Sequence, residues 1–177
     1  MLRLIVFLVL WPFAGFADSA GLSPALQAQI RDRPERFEAK VSALILGYGG
    51  AKGMTAQGLQ DYLAMERARV RVRDMNAMLL ADLDDDGAVT QRELLAVVAA
   101  QRASLRGRLL RAHTVRDADG DGTVSGVEMR AQARLAATKA TARDAGLGDL
   151  MQLDFDKDGF VTMQELRAAL AMQRPES

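Results

Sequence analysis

Three twelve-residue segments superimpose without a gap: DLDDDGAVTQRE from Asp82, DADGDGTVSGVE from Asp117 and DFDKDGFVTMQE from Asp154. Each has Asp at positions 1, 3 and 5, Gly at 6, Val at 8, Ser or Thr at 9 and Glu at 12, and their starts lie 35 and 37 residues apart. An internal repeat of this length reports a recurring supersecondary unit. The spacing leaves room for a helix leaving one loop, a turn, and a helix leading into the next. Solvated surface acid would require neither the fixed glycine nor the fixed valine.

The pattern meets the demands of a hard divalent cation. Calcium takes six to eight oxygens at roughly 2.3 to 2.6 Å, and a short loop supplies them when alternate short side chains turn inward. Asp82, Asp84 and Asp86, then Asp117, Asp119 and Asp121, then Asp154, Asp156 and Asp158 have that alternation. Gly at position 6 permits the positive φ that turns the loop, after which the carbonyl of Ala88, Thr123 or Phe160 can face the ion. Thr90, Ser125 and Thr162 act directly or through water. Glu93, Glu128 and Glu165 are long enough to reach back and bind with both oxygens. Val89, Val124 and Val161 suit a short β-bridge to a neighbouring loop.

These residues resemble the EF-hand superfamily, and in layout the chain is similar to a calmodulin-like four-hand protein. The missing hand is sought in LILGYGGAKGMTAQGLQDYL, residues 44–63. MTAQGLQDYL at 54–63 aligns with VTMQELRAAL at 161–170, which puts Gly47 at loop position 1, 35 residues before Asp82. The ligand positions then hold Gly47, Gly49, Ala51 and Gly58, so this degenerate hand has no carboxylate for calcium. A plain glycine-rich loop is the bland alternative. A phosphate loop fits poorly, because Lys52 is followed by Gly53 and Met54 rather than Ser or Thr.

The resemblance implies an all-α fold of helix-loop-helix pairs in two lobes, with β-bridges between paired loops and three Ca2+ sites. EF-hands usually pair, so residues 37–105 are expected to join the loop at 47–58 to that at 82–93, Met54 meeting Val89. Residues 106–174 would join the loops at 117–128 and 154–165. Residues 18–36, with Pro24 and Pro34, read as an N-terminal linker or short helix start.

Apolar residues flank the loops at helical spacing: Met75, Met78 and Leu79 before Asp82, Leu147, Leu150 and Met151 before Asp154, and Leu59, Tyr62 and Leu63, Leu94, Val97 and Val98, Leu166 and Leu170 after. The third hand offers only Met129, Gln132 and Ala133, with His113 where an apolar residue is expected, and predicts weaker anchoring. His113 reads as a packed, hydrogen-bonded side chain, with a pH-sensitive contact as the alternative. Met65, Met75, Met78, Met129, Met151 and Met172 fall on predicted helices, either filling the core or lining a groove for a protein or peptide target. Arginines at 67, 69, 71 and 73 and at 102, 106, 108, 111 and 116 read as a solvated helix face, or alternatively as balancing the loop acids or forming a surface for an acidic partner. Gly107 suits a bend in the connection between lobes.

Lys+Arg and Asp+Glu are both 23, so no global charge points to nucleic acid or an anionic membrane. The absence of cysteine excludes disulfides and thiolate metal sites, and a single histidine leaves little for a zinc site or a histidine-based triad. No nucleophile sits in a recognisable motif, so no enzyme is expected. At the N-terminus, Arg3 precedes an apolar run from Leu4 to Phe16, with small residues Gly15 and Ala17 before Asp18. That is the layout of a secretory signal peptide, residues 1–17, implying a secreted or periplasmic product. The alternative, a retained anchor, has a run shorter than the roughly 18 apolar residues of a span, interrupted by Pro12. The expected protein is an exported calcium binder: a sensor or adaptor with a protein target, or alternatively a buffer or calcium-stabilised module.

Overall fold

A computed structural model describes residues 21–142 and 145–172, so the expected signal segment lies outside the described residues. The fold is all-α, with strands of two residues only. In order it has α1 (Pro24–Asp32), α2 (Pro34–Tyr48), β1 (Met54–Thr55), α3 (Ala56–Leu79), β2 (Val89–Thr90), α4 (Gln91–Ala99) and α5 (Ala103–Arg116). There follow β3 (Thr123–Val124), α6 (Gly126–Ala142), α7 (Ala145–Gly148), a 3₁₀ turn at Leu150–Leu153, β4 (Phe160–Val161) and α8 (Met163–Met172). No helix among the described residues is long and apolar enough to cross a membrane.

The pairing of the hands differs from the sequential expectation. Met54 stands opposite Val161 rather than Val89, in an antiparallel bridge of β1 with β4. Val89 instead pairs with Val124, joining β2 to β3. The loops at 47–58 and 154–165 therefore share one lobe and those at 82–93 and 117–128 the other, in place of lobes spanning 37–105 and 106–174. The reason lies in α3. Its 24 residues run without a break, about 36 Å at 1.5 Å per residue, and so hold the first and second loops at opposite ends of one rod. Between the second and third loops the helix breaks after Ala99, and α4 and α5 fold together as a hairpin. The bend falls at 100–102, while Gly107 lies inside α5.

Helix α6 returns alongside α3, and Ala133 and Ala137 are both buried. Their small side chains let two helices approach closely, and Met129, one turn earlier, is 1% exposed. The third hand is thus firmly packed, against the expectation of weak anchoring, because alanines fit where α3 comes close.

Each lobe has its own apolar core. In the outer lobe, Phe37, Val41, Leu44 and Ile45 of α2 meet Leu59, Leu147, Leu150, Leu153 and Leu166. In the central lobe, Met78, Val89, Leu94, Val98, Val124 and Met129 meet. The segment read as a linker belongs to the outer core. Leu22, Leu26 and Ile30 are buried there, and Pro24 and Pro34 each start a helix rather than interrupting one, since the first helical position needs no N–H. Ser23 caps α1 through the Leu26 amide and also donates to Asp149 Oδ2 at 2.6 Å.

Candidate metal centre

Each acidic loop begins where a helix or turn ends and closes in the first turn of the next helix. The position-6 glycines have the anticipated left-handed backbone: Gly87 at φ 83°, Gly122 at 85° and Gly159 at 88°. Position 4 is left-handed too, with Asp85 at 60°, Gly120 at 77° and Lys157 at 59°. Only the third loop has glycine there, which is why this second turn was not legible from the residue types.

Within the turns the aspartates accept backbone amides. The Gly87 and Asp86 amides donate to Asp82 at 3.0 and 3.2 Å, and the Ala88 amide donates to Asp86 at 2.8 Å. The fourth loop repeats all three bonds on Asp154 and Asp158. In the third loop Asp117 takes the Gly120 and Gly122 amides, and Asp121 takes that of Thr123. The sequence folds this way because a short acid accepts amides two to five residues on and so holds the turn locally.

The position-12 glutamates are drawn back over the loops. Glu93 Oε1 accepts the Leu83 amide at 2.9 Å and Oε2 accepts the Thr90 hydroxyl at 2.7 Å. Glu128 does the same with Ala118 and Ser125, and Glu165 with Phe155 and Thr162. The hydroxyls also receive the glutamate amides. Position 9 is therefore a helix cap as well as a loop residue, a role its Ser/Thr identity and the Glu three residues later signal. The hydrogen bonds of Thr90, led by its hydroxyl and joined by the Leu83 amide, hold the Glu93 carboxyl down from the usual 4.5 to about 2. The Ser125 amide and hydroxyl, with the Ala118 amide, hold Glu128 at about 2 as well.

Three carboxylates converge in each loop. Oxygens of Asp82, Asp84 and Glu93 lie within 4.8 Å of one another, as do those of Asp117, Asp119 and Glu128 and those of Asp154, Asp156 and Glu165. The position-9 hydroxyls touch the glutamates of these groups, whereas Asp86, Asp121 and Asp158 are not among the converging oxygens and accept the position-7 amides instead. Ala88, Thr123 and Phe160 lie where each loop passes into or adjoins its bridge strand. Such a triad of like charges is self-repelling and favours an added cation. The donors are all oxygen, which suits a hard ion of the calcium or magnesium type.

The loop at 47–58 has the frame without the ligands. Its strand residue Met54 bridges Val161, the same position-8 pairing that Val89 makes with Val124. Thr55 caps α3 through the Gly58 amide at 3.1 Å, as Thr90 caps α4. Gly47, however, lies within α2, and only Gly49 to Gly53 separate that helix from β1. The loop is closed on itself: a Cβ on Gly49 would stand 2.4 Å from Ile45 O and 2.6 Å from the Gly53 carbonyl carbon. One on Gly53 would stand 2.7 Å from Val161 O. These glycines serve close backbone approach, and Lys52 reaches across to 5.7 Å from the Phe160 ring centroid.

A family model described as EF hand matches residues 147–171, the fourth loop with its flanking helical segments. Searches of curated proteins and of solved structures found no match. The match and the three carboxylate triads fit an EF-hand protein and point to calcium binding.

Proposed function

We propose that this chain is an exported, non-enzymatic EF-hand protein that binds three calcium ions, one in each loop at 82–93, 117–128 and 154–165, with the loop at 47–58 as a ligand-free fourth hand. The observation that carries the reading is the threefold recurrence of one carboxylate triad, each with its glutamate drawn back by the same pair of partners. Asp at positions 1, 3 and 5, the position-7 carbonyl, the position-9 residue and Glu at 12 form the ligand set of each loop. The ion supplies the charge that offsets the triad's repulsion. The chain's own part is to hold the carboxylates together and ionised.

Calorimetric titration tests this. Three ions per chain are expected, and Glu93→Gln, Glu128→Gln and Glu165→Gln are each expected to lose one, because the position-12 carboxylate is the bidentate ligand. Unchanged stoichiometry in any variant refutes that loop. Export rests on the apolar run from Leu4 to Phe16 ahead of Ala17, and an exported product whose N-terminus is not Asp18 would overturn the cleavage site. Of the two roles for calcium, adaptor and stabilised module, we favour the adaptor because the central lobe holds an open apolar cavity. Binding of a hydrophobic dye should then rise with calcium, and an unchanged signal would favour the module.

A further inference from the structure

Positions counted back from each loop start reveal that one lobe is covered and the other is not. In the outer lobe α1 lies on the element leading into the fourth loop. Ser23 contacts Asp149 and Gln152, five and two residues before Asp154, and Gly146, eight before, lies directly beneath Gln29, where a Cβ would stand 2.9 Å away. In the central lobe the same two positions before Asp82 are Ala77 and Leu80, and they line a cavity of about 420 Å3. Leu109 and Ala112, eight and five before Asp117, form its other wall. The place that α1 fills in one lobe is thus an open apolar groove in the other, with Leu80 78% exposed at its lip.

The α4–α5 side of the groove carries one sign of charge. Residues 94–116 contain no Asp or Glu and five arginines. Arg116 is buried and paired with Asp74, whereas Arg102, Arg106, Arg108 and Arg111 are exposed, and Arg108 itself lines the groove.

From this register and charge we infer that the central lobe docks an acidic amphipathic helix of a partner protein, apolar side chains four residues apart entering between α3 and α5 and carboxylates meeting the α5 arginines. Helix α1 sets the pattern, since its buried Leu26 and Ile30 are four apart. Ala77 and Leu80 stand at the register positions where Asp149 and Gln152 meet Ser23, so the occupant presents an apolar residue to them. The cavity is concave, which favours an inserted helix over a flat lipid surface. The inference builds on the adaptor role and separates from the calcium reading, because ion stoichiometry and peptide binding are independent measurements.

The test uses the full chain with calcium saturating, titrated with a synthetic helical peptide carrying Leu or Ile every fourth residue and Glu between. The controls are the same peptide with Lys for Glu, and phosphatidylserine vesicles. The acidic peptide is expected to bind about tenfold or more tightly than the basic one, the gap narrowing with added salt. Arg108→Glu and Leu80→Glu, both at exposed positions, should each weaken it about tenfold while circular dichroism stays unchanged. Amide shifts should centre on Ala77, Ala81 and Ala112. The inference is overturned by equal affinity for the two peptides, by no saturation with the acidic peptide while ion stoichiometry is normal, by binding to vesicles alone, or by a chain that self-associates through this groove.

Discussion

The Nε2 of His113 lies 3.1 Å from the backbone oxygen of Val89, so the helix leading into the third loop is fastened to the bridge strand of the second. The ring is 5% exposed. Replacement by Phe keeps the bulk but leaves a buried carbonyl without this partner, and a loss of about 1 to 3 kcal/mol is expected. Urea unfolding of the calcium-free protein measures it. A midpoint equal to the parent's would show that the contact contributes nothing.

Arg116 and Asp74 form the second tie within the central lobe, at 2.7 Å with the arginine 8% exposed. The same guanidinium also donates to the carbonyls of Ala112 and Asp74. Removing one partner strands a buried charge, so Arg116→Ala or Asp74→Ala should cost about 3 kcal/mol. The double replacement Asp74→Leu with Arg116→Met should cost less than either. A double loss equal to the sum of the two single losses would contradict a coupled pair.

Restoring acids to the first loop should fail to make a fourth site. A Cβ on Gly58 would stand 3.2 Å from both Met54 Sδ and Tyr48 O, and one on Gly49 would overlap backbone. The variant Gly49→Asp with Gly58→Glu should bind no additional ion and lose about 1 to 3 kcal/mol of stability through overpacking. A gain of one calcium in the titration would disprove the closed-loop description.

Acid should loosen the central lobe in a defined window. Glu93 and Glu128 are depressed from the usual 4.5 to about 2, so the stability they contribute is complete above about 4.5 and is lost as pH falls through about 2. In chelator, the amide signals of Leu83 and Ala118 should keep their positions down to about pH 4 and shift below it. Shifts already more than half complete at pH 4 would place these carboxyls in the ordinary range.

The loops were legible in the sequence because, the left-handed turn at position 4 apart, their physical requirements are met by residue types recurring within twelve positions. The partnership of the loops was not, because the intervals before Asp82 and after it are equal, and either pairing sets an apolar residue opposite an apolar residue. What decides it is continuity of helix: 56–79 runs through and 100–102 breaks, although neither Gly nor Pro marks the break. The Thr-x-Gln-x-Leu pattern relates the loop at 47–58 to the fourth loop, and these two loops are bridged in the structure. The role of α1 was hidden because Pro24 and, just beyond the helix, Pro34 read as punctuation. Its burial depends on Leu147 and Leu150, more than a hundred residues away, which no local window contains.

The bridge between Met54 and Val161 also dictates an order of assembly. The central loops are near neighbours along the chain and can close upon each other as soon as β3 and the start of α6 follow α5. The outer lobe cannot, because its second strand and α8 follow all the elements of the central lobe along the chain. Contacts separated by most of the chain form slowly, since the entropy of joining distant ends must be overcome before they are rewarded. On a ribosome, the glycine-tight first loop and α1 would wait with their apolar faces unmatched until the C-terminal hand arrives. The fold closes from the middle outward, like a clasp whose two halves are carried at the opposite ends of the thread.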